Sequence, residues 1–186
     1  MGPLFGQPAA RVSLVLFEPG TGASAAPRHP RGGWVLRDER GLSLVCRVGG
    51  RLCAMPLAQV VETMRPLPVV PVAGAPEFVL GISIIRGAPV PVVDGAALLG
   101  ADAHATRLVI VRIDGRQVAL AVDEVLGARP IGRDSLRVVP PLLREARGDA
   151  VSSIGSLDAE LLLFLEAVRI LPDAAWKALE RAMESP

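Results

Sequence analysis

Residues 79–100, VLGISIIRGAPVPVVDGAALLG, decide how this chain is read, because a single cation, Arg86, interrupts a run that is otherwise almost wholly apolar or turn-forming. A guanidinium stays charged at physiological pH and is rarely buried alone, so Arg86 must emerge at a working surface or meet a carboxylate. Around it, residues 79–86 and 90–93 read as the two strands of a hairpin turned by Gly87-Ala88-Pro89. Pro91 places the second strand at an edge or a barrel rim, since proline cannot donate to a ladder. Asp94, ahead of Gly95-Ala96-Ala97-Leu98-Leu99 and Gly100, reads as the N-cap of a short helix stopped by glycine, a bland role that outweighs a catalytic one.

Upstream, Leu42, Leu44, Cys46 and Val48 alternate with Ser43, Val45 and Arg47 before Gly49-Gly50 turns the chain back into residues 52–55, so the even-numbered face is expected to point inward. Cys46 and Cys53 then fall opposite one another, as two small buried hydrophobes rather than a disulfide. Two cysteines are too few for a secreted framework and indicate a reduced, cytoplasmic protein. The hairpin recurs. Residues 48–55 align with residues 113–120 at a constant spacing of 65 (113 − 48), which also matches Arg47 to Arg112 and Val60 to Val125. Two copies rich in short strands predict a mostly β fold of two similar small barrels, with short helices, rather than a solenoid. Closed barrels also remove the edges that short strands would leave exposed.

Downstream, residues 136–147 form a proline-containing connection, residues 151–157 and 161–165 read as strands, and Pro172-Asp173 opens a C-terminal helix. Trp176, Leu179 and Met183 share one face of that helix. Residues 1–40 are rich in glycine and proline without sustained periodicity, and are expected to be a disordered leader ahead of a folded unit over residues 41–186.

Composition removes several functions. Twenty basic and 19 acidic residues in mixed order leave no basic face to track phosphates, and with 3% aromatics and no tyrosine there are few stacking platforms, so nucleic acid is not an expected partner. No nucleophile elbow or phosphate-cradling Gly-Lys-Ser/Thr loop is present, and His29 and His104 lack ligand-spaced neighbours, so neither an enzyme, a cofactor nor a metal is expected. The apolar run at residues 12–17 is too short for a signal core, and the longer ones are broken by proline or acid, so no direct membrane insertion is expected.

The order Gly81-Ile82-Ser83-Ile84-Ile85-Arg86-Gly87, then Val90-Pro91-Val92-Val93-Asp94, resembles the CheW family of chemotaxis coupling scaffolds, whose pattern is glycine, a short apolar strand, Asn-Leu-Arg-Gly, a Val/Pro-rich strand and Val-Asp. Val60-Val61-Glu62 upstream, Gly115-Arg116 with Asp123-Glu124-Val125, and Ile154-Gly155 with residues 161–165 extend the resemblance over about 130 residues. It implies two SH3-like five-stranded barrels packed side by side and a non-catalytic adaptor joining the cytoplasmic tip of chemoreceptors to the regulatory domain of a CheA-type histidine kinase. The receptor tip would lie near the groove between the barrels, and an outer barrel surface would dock the kinase. The partner-binding residues it implies are Val60, Glu62, Gly81, Arg86 and Gly87, with Glu62 meeting a partly buried Arg86. Departures are Ile84 in place of asparagine, Cys53-Ala54-Met55-Pro56 in place of a Tyr-Gly-Ile-Asp type run, and the uncharged start of the helix after Asp94. The competing reading is a small-molecule sensor using the groove between barrels.

Overall fold

The computed structural model describes residues 41–139, 150–171 and 173–184; the expected leader over residues 1–40, most of the connection over 136–147 and the side chain of Met183 lie outside them. The described chain runs β1 (Leu42–Val48), β2 (Arg51–Pro56), β3 (Val60–Met64), β4 (Val79–Ile85), β5 (Ala88–Asp94), α1 (Gly95–Leu98), β6 (Arg107–Ile113), β7 (Arg116–Val122), β8 (Glu124–Pro130), β9 (Arg137–Val138), β10 (Val151–Leu157), β11 (Glu160–Leu165), α2 (Ala167–Ile170) and α3 (Asp173–Glu184). The short strand β9 was not expected from sequence.

Four hairpins reverse in two residues each: Gly49-Gly50, Arg86-Gly87, Asp114-Gly115 and Asp158-Ala159. All eight residues have positive φ, the type I′ geometry whose twist matches that of paired strands. The reversal between β4 and β5 therefore sits at Arg86-Gly87, one residue earlier than expected, and Ala88 and Pro89 already belong to β5.

Two sheets form, ordered β8-β1-β2-β11-β10-β9 and β3-β6-β7-β5-β4. The spacing of 65 is exact in register: Cys46 pairs with Cys53 and with Val125, as Val111 pairs with Val118 and with Val60. A second spacing of 72 (157 − 85) relates the β4–β5 and β10–β11 hairpins, down to the register shift at Val79/Gly81 and its counterpart at Val151/Ser153. Each hairpin then pairs in parallel with a strand of the opposite repeat, β11 with β2 and β5 with β7. The repeats are thus interlocked. The first supplies β1–β2 to one barrel and β3, β4 and β5 to the other; the second supplies β6–β7 to the latter and β8 to β11 to the former.

This interlocking changes which face is inward. Val45, Leu52, Ala54, Ile131 and Leu162 fill the first barrel, and Ile85, Val90, Val92, Leu108, Ile110 and Ala119 fill the second. The even-numbered Leu44, Cys46 and Val48 instead join Cys53, Met55, Val109, Val111, Ile113, Val118 and Leu120 in the largest cluster, which draws on both sheets. The expected single inward face is therefore corrected: β1 is covered on both sides, Ser43 and Val45 are buried as well, and Leu42 is exposed. Each such aliphatic side chain contributes roughly 1.5–3 kcal/mol on burial, so the shared layer outweighs any surface pair. β5 is likewise not an edge strand; its ladder to β7 begins at Val92, which leaves Pro91 outside it and tolerated.

Local signals hold the helices in place. Asp94 Oδ1 accepts from the backbone N–H groups of Ala96 and Ala97 at 2.8 and 3.1 Å, capping α1 as read from sequence. Gly95 lets α1 approach the β1–β2 tip, since a Cβ there would stand 2.8 Å from Val48 Cγ1. On α3, Trp176 and Leu179 enter the shared cluster, while the Arg116 guanidinium stacks 5.1 Å from the Trp176 ring and pairs with Glu180 at 3.2 Å.

Cys46 and Cys53 are free thiols, buried opposite one another. Burial, with Asp123 nearby, pushes the Cys46 thiol up to about 12 from an ordinary 9.0, and Cys53 is raised as well, first by burial. A folded-state value above the unfolded one confers stability that is complete below about pH 9 and lost as the pH rises toward 12. The chain has no tyrosine and a single lysine. The repeat supplies the test. Replacing both cysteines by valine, the residue at both equivalent positions 111 and 118, is expected to change neutral-pH stability by under about 1.5 kcal/mol. It is also expected to flatten the alkaline decline in melting temperature that the parent shows.

Candidate functional site

The site begins with a turn that its residue types do not favour. Type I′ reversals select Gly, Asn or Asp at the first central position, as Gly49, Asp114 and Asp158 obey, yet the fourth turn holds Arg86 at φ +51°. A bulky residue in that region is strained, and strain of this kind concentrates where a side chain has a task. Gly87 at φ +80° completes the turn with open space where a Cβ would be.

Across the barrel opening lies Glu62. β3 and β4 are the two outermost strands of their sheet, so closing the barrel brings β3 toward the tip of the β4–β5 hairpin. Arg86 Nε donates to Glu62 Oε1 and its Nη2 to Oε2, both at 2.6 Å, a fork-on-fork pair. The expected meeting of Glu62 and Arg86 is therefore observed. The expectation that the guanidinium is partly buried is corrected: the Arg86 side chain is 68% exposed and Glu62 20%, because the two-residue turn lifts residue 86 off the sheet. The hydrogen bond from Arg86, more than its charge alone, holds the Glu62 carboxyl below the usual carboxylate range, and the same bond raises Arg86.

The remaining expected residues shape this seam. Val60 opens β3, half-buried against the shared cluster, and the register shift between Val60 and Glu62 marks a bulge that leaves Val61 exposed. Gly81 is buried rather than presented. Its φ is +140°, and a Cβ would come within 2.1 Å of the Val70 carbonyl oxygen, whose strand-like segment exchanges hydrogen bonds with Ile82. Ile84, where the resemblance would put asparagine, is 63% exposed two residues from Arg86. An exposed ion pair thus sits beside exposed apolar residues of β3 and β4.

The other barrel carries a counterpart that sequence reading missed. Asp158 occupies the turn position equivalent to Arg86, at the spacing of 72, and accepts from Arg129 of β8 at 2.8 Å. The polarity is inverted: here the anion stands on the turn and is the more exposed partner. Arg47 of β1 also grips Glu160 of β11 at 2.7 and 3.0 Å. The second spacing was the signal that would have found the Asp158 position.

An open cleft of about 420 Å³ lies where β7 passes into β8, lined by Arg47, Thr106, Arg107, Asp123, Glu124 and Val125. Polar groups that line it are already engaged: Asp123 Oδ2 accepts from the Gly50 N–H at 2.8 Å, Thr106 Oγ1 donates to the Asp123 carbonyl, Arg107 Nη1 donates to the Thr106 carbonyl at 2.8 Å, and Arg47 is held by Glu160. A charged, open cleft lends no support to a small-molecule sensor, whose pocket is enclosed and mostly apolar. Among the described residues no group of three or more His, Cys, Asp or Glu is placed to hold a metal ion, and no helix is long and apolar enough to cross a membrane.

Comparison with known proteins matches this geometry. The model of the CheW-like domain family matches residues 43–175. The chain is 24% identical over 130 residues to the chemotaxis protein CheW of Rhizobium meliloti (strain 1021), covering 68% of this chain and 84% of that protein. It superposes with a TM-score of 0.61 on the crystal structure of the scaffolding protein TtCheW from Thermoanaerobacter tengcongensis, at 25% identity, covering 68% of this chain and 89% of that one.

Because the folded-state value of Glu62 is depressed, the stability its pair with Arg86 confers is present above the ordinary carboxylate range and lost as the pH falls through the folded value. The melting temperature of Glu62→Gln is expected to lie slightly below that of the parent above about pH 6, the gap being small because the guanidinium is solvated. The gap is expected to close in acid. A gap that persists or widens in acid would contradict the assignment.

Proposed function

This chain belongs to the CheW-like domain family, and from that membership we propose that it is a non-catalytic adaptor, coupling chemoreceptors to a CheA-type histidine kinase in a chemosensory pathway on the cytoplasmic side of the membrane. The observation that carries the reading to a place on the molecule is the Glu62–Arg86 seam. A guanidinium held in a turn that disfavours it, paired by two short hydrogen bonds and flanked by exposed Val61 and Ile84, has the composition of an interface: apolar area for affinity, oriented charge for register.

In this reading Val60, Glu62, Arg86 and Gly87 lie at the docking surface for the regulatory domain of the kinase, with Gly81 beneath it setting the course of β4. The cytoplasmic tip of the receptor occupies the groove between the barrels. The inverted pair at Arg129 and Asp158 gives the opposite barrel a tip of the other sign, so one chain offers two dissimilar ends to two partners. Glu62 also braces β3 against the β4–β5 tip, and bracing alone is the competing account of the pair.

The inverted seam separates the two accounts. Arg86→Glu and Arg129→Glu each place two carboxylates at a barrel opening. In calorimetric titrations against the regulatory domain of a CheA-type kinase, Arg86→Glu is expected to weaken binding by about tenfold or more, with Arg129→Glu within about twofold of the parent. Equal behaviour of the two variants, with both folded, would leave Arg86 a brace and move the docking surface elsewhere.

A further inference from the structure

We propose that the two repeats of this chain exchange between two copies, giving a dimer of four barrels hinged at residues 102–105. The proposal goes beyond the adaptor reading and does not depend on it. Apart from the four hairpins, the short β9–β10 ladder and the bridge from Val70 to Ile82, every ladder among the described residues joins one repeat to the other: β1 with β8, β2 with β11, β3 with β6 and β5 with β7. The fillings of both barrels and the layer between them likewise mix residues from both repeats. Nothing in those registers specifies that the second repeat belong to the same chain. Only the covalent joint from Asp94 to Arg107 does so.

The joint divides into a fixed part and a free part. α1 is tied to its own repeat by its Asp94 cap, by Val48 beside Gly95 and by Arg51 Nη1, which donates to the Leu99 carbonyl at 2.5 Å; Gly95 also lies against Ala121 and Leu120 of β7, a contact between repeats that the exchanged dimer remakes. Gly100 and Ala101 are held as well, their N–H groups donating to the Ala97 and Ala96 carbonyls at 3.0 and 2.9 Å. Beyond them residues 102–105 have no regular structure, and Asp102, Ala103 and His104 are exposed. Thr106 is again fixed, its N–H donating to the Val122 carbonyl at 2.9 Å at the entry to β6. The chain can leave Ala101 in a new direction without disturbing either α1 or β6.

In the exchanged dimer each ladder and each core contact is remade in the same register, so the two forms differ in the path of the hinge and in the entropy of association. The monomer wins when the tethered repeat outcompetes a free one, and short tethers correspond to effective concentrations of about 1 mM. Exchange must open both barrels together, because each is built from both repeats, so a dimer once formed is trapped.

The test refolds the full chain from denaturant at about 10 µM and at about 1 mM, then measures mass by size exclusion with light scattering. A second protein lacking Asp102, Ala103 and His104 has a joint shortened by about 10 Å. The expected results are a dimer-to-monomer ratio at least about tenfold higher after concentrated refolding, and a folded, mainly dimeric shortened protein. The isolated dimer should survive dilution in native buffer and return to monomer only after unfolding and dilute refolding. A parent that is monomeric after every refolding, a dimer that falls apart on simple dilution, or a folded and monomeric shortened protein would each overturn the proposal. Should the shortened protein fail to fold, the two arms of the parent decide.

Discussion

The apolar layer shared by the two sheets is the interaction on which the rest of this structure depends. Leu44, Cys46, Val48, Cys53 and Met55 meet Val109, Val111, Ile113, Val118 and Leu120 there, and these strands also carry the residues that fill the barrels. β1, β2, β6 and β7 are therefore covered on both faces, which is why their sequences are nearly continuous in apolar residues. Repeat interlocking follows from the same arrangement. A hairpin that fills one barrel is covalently continuous with strands that fill the other.

The proposed placing of recognition at the seams follows from that rigidity. With both faces of the central strands consumed, what remains for recognition is the rim: hairpin tips, bulges and the opening between the outermost strands. Each barrel spans that opening with an ion pair from a tip to the facing strand, Arg86 to Glu62 and Asp158 to Arg129. The same architecture thus carries opposite surface charge at its two ends. In the proposed adaptor reading that asymmetry distinguishes one partner from the other.

Much of this was legible in the sequence, for reasons that differ residue by residue. The spacing of 65 exposed the duplication because the β1–β2 and β6–β7 hairpins keep the same length and turn, and the capping role of Asp94 showed because the chemistry is local. Interlocking did not show, since two barrels made of separate repeats and two made of exchanged repeats have the same strands and the same periodicity. For that reason the alternation in β1 predicts a single inward, even-numbered face, while that face lines the layer shared by the two sheets and the other is covered as well. The pairing of Glu62 with Arg86 was legible through the family pattern, but the exposure of Arg86 was not, because it follows from placing the turn at residues 86–87 rather than one residue later. Asp158 went unread because its repeat is spaced at 72 rather than 65 and its charge is reversed.

The central claim is that neither barrel is a folding unit by itself. Native-state hydrogen exchange tests it most directly, with backbone amides of β4, β5 and β7 reporting on one barrel and those of β2, β10 and β11 on the other. The account predicts that the slowest-exchanging amides of both barrels open at one common free energy, in a single cooperative event. Protection that is lost in one barrel while it persists in the other would contradict it.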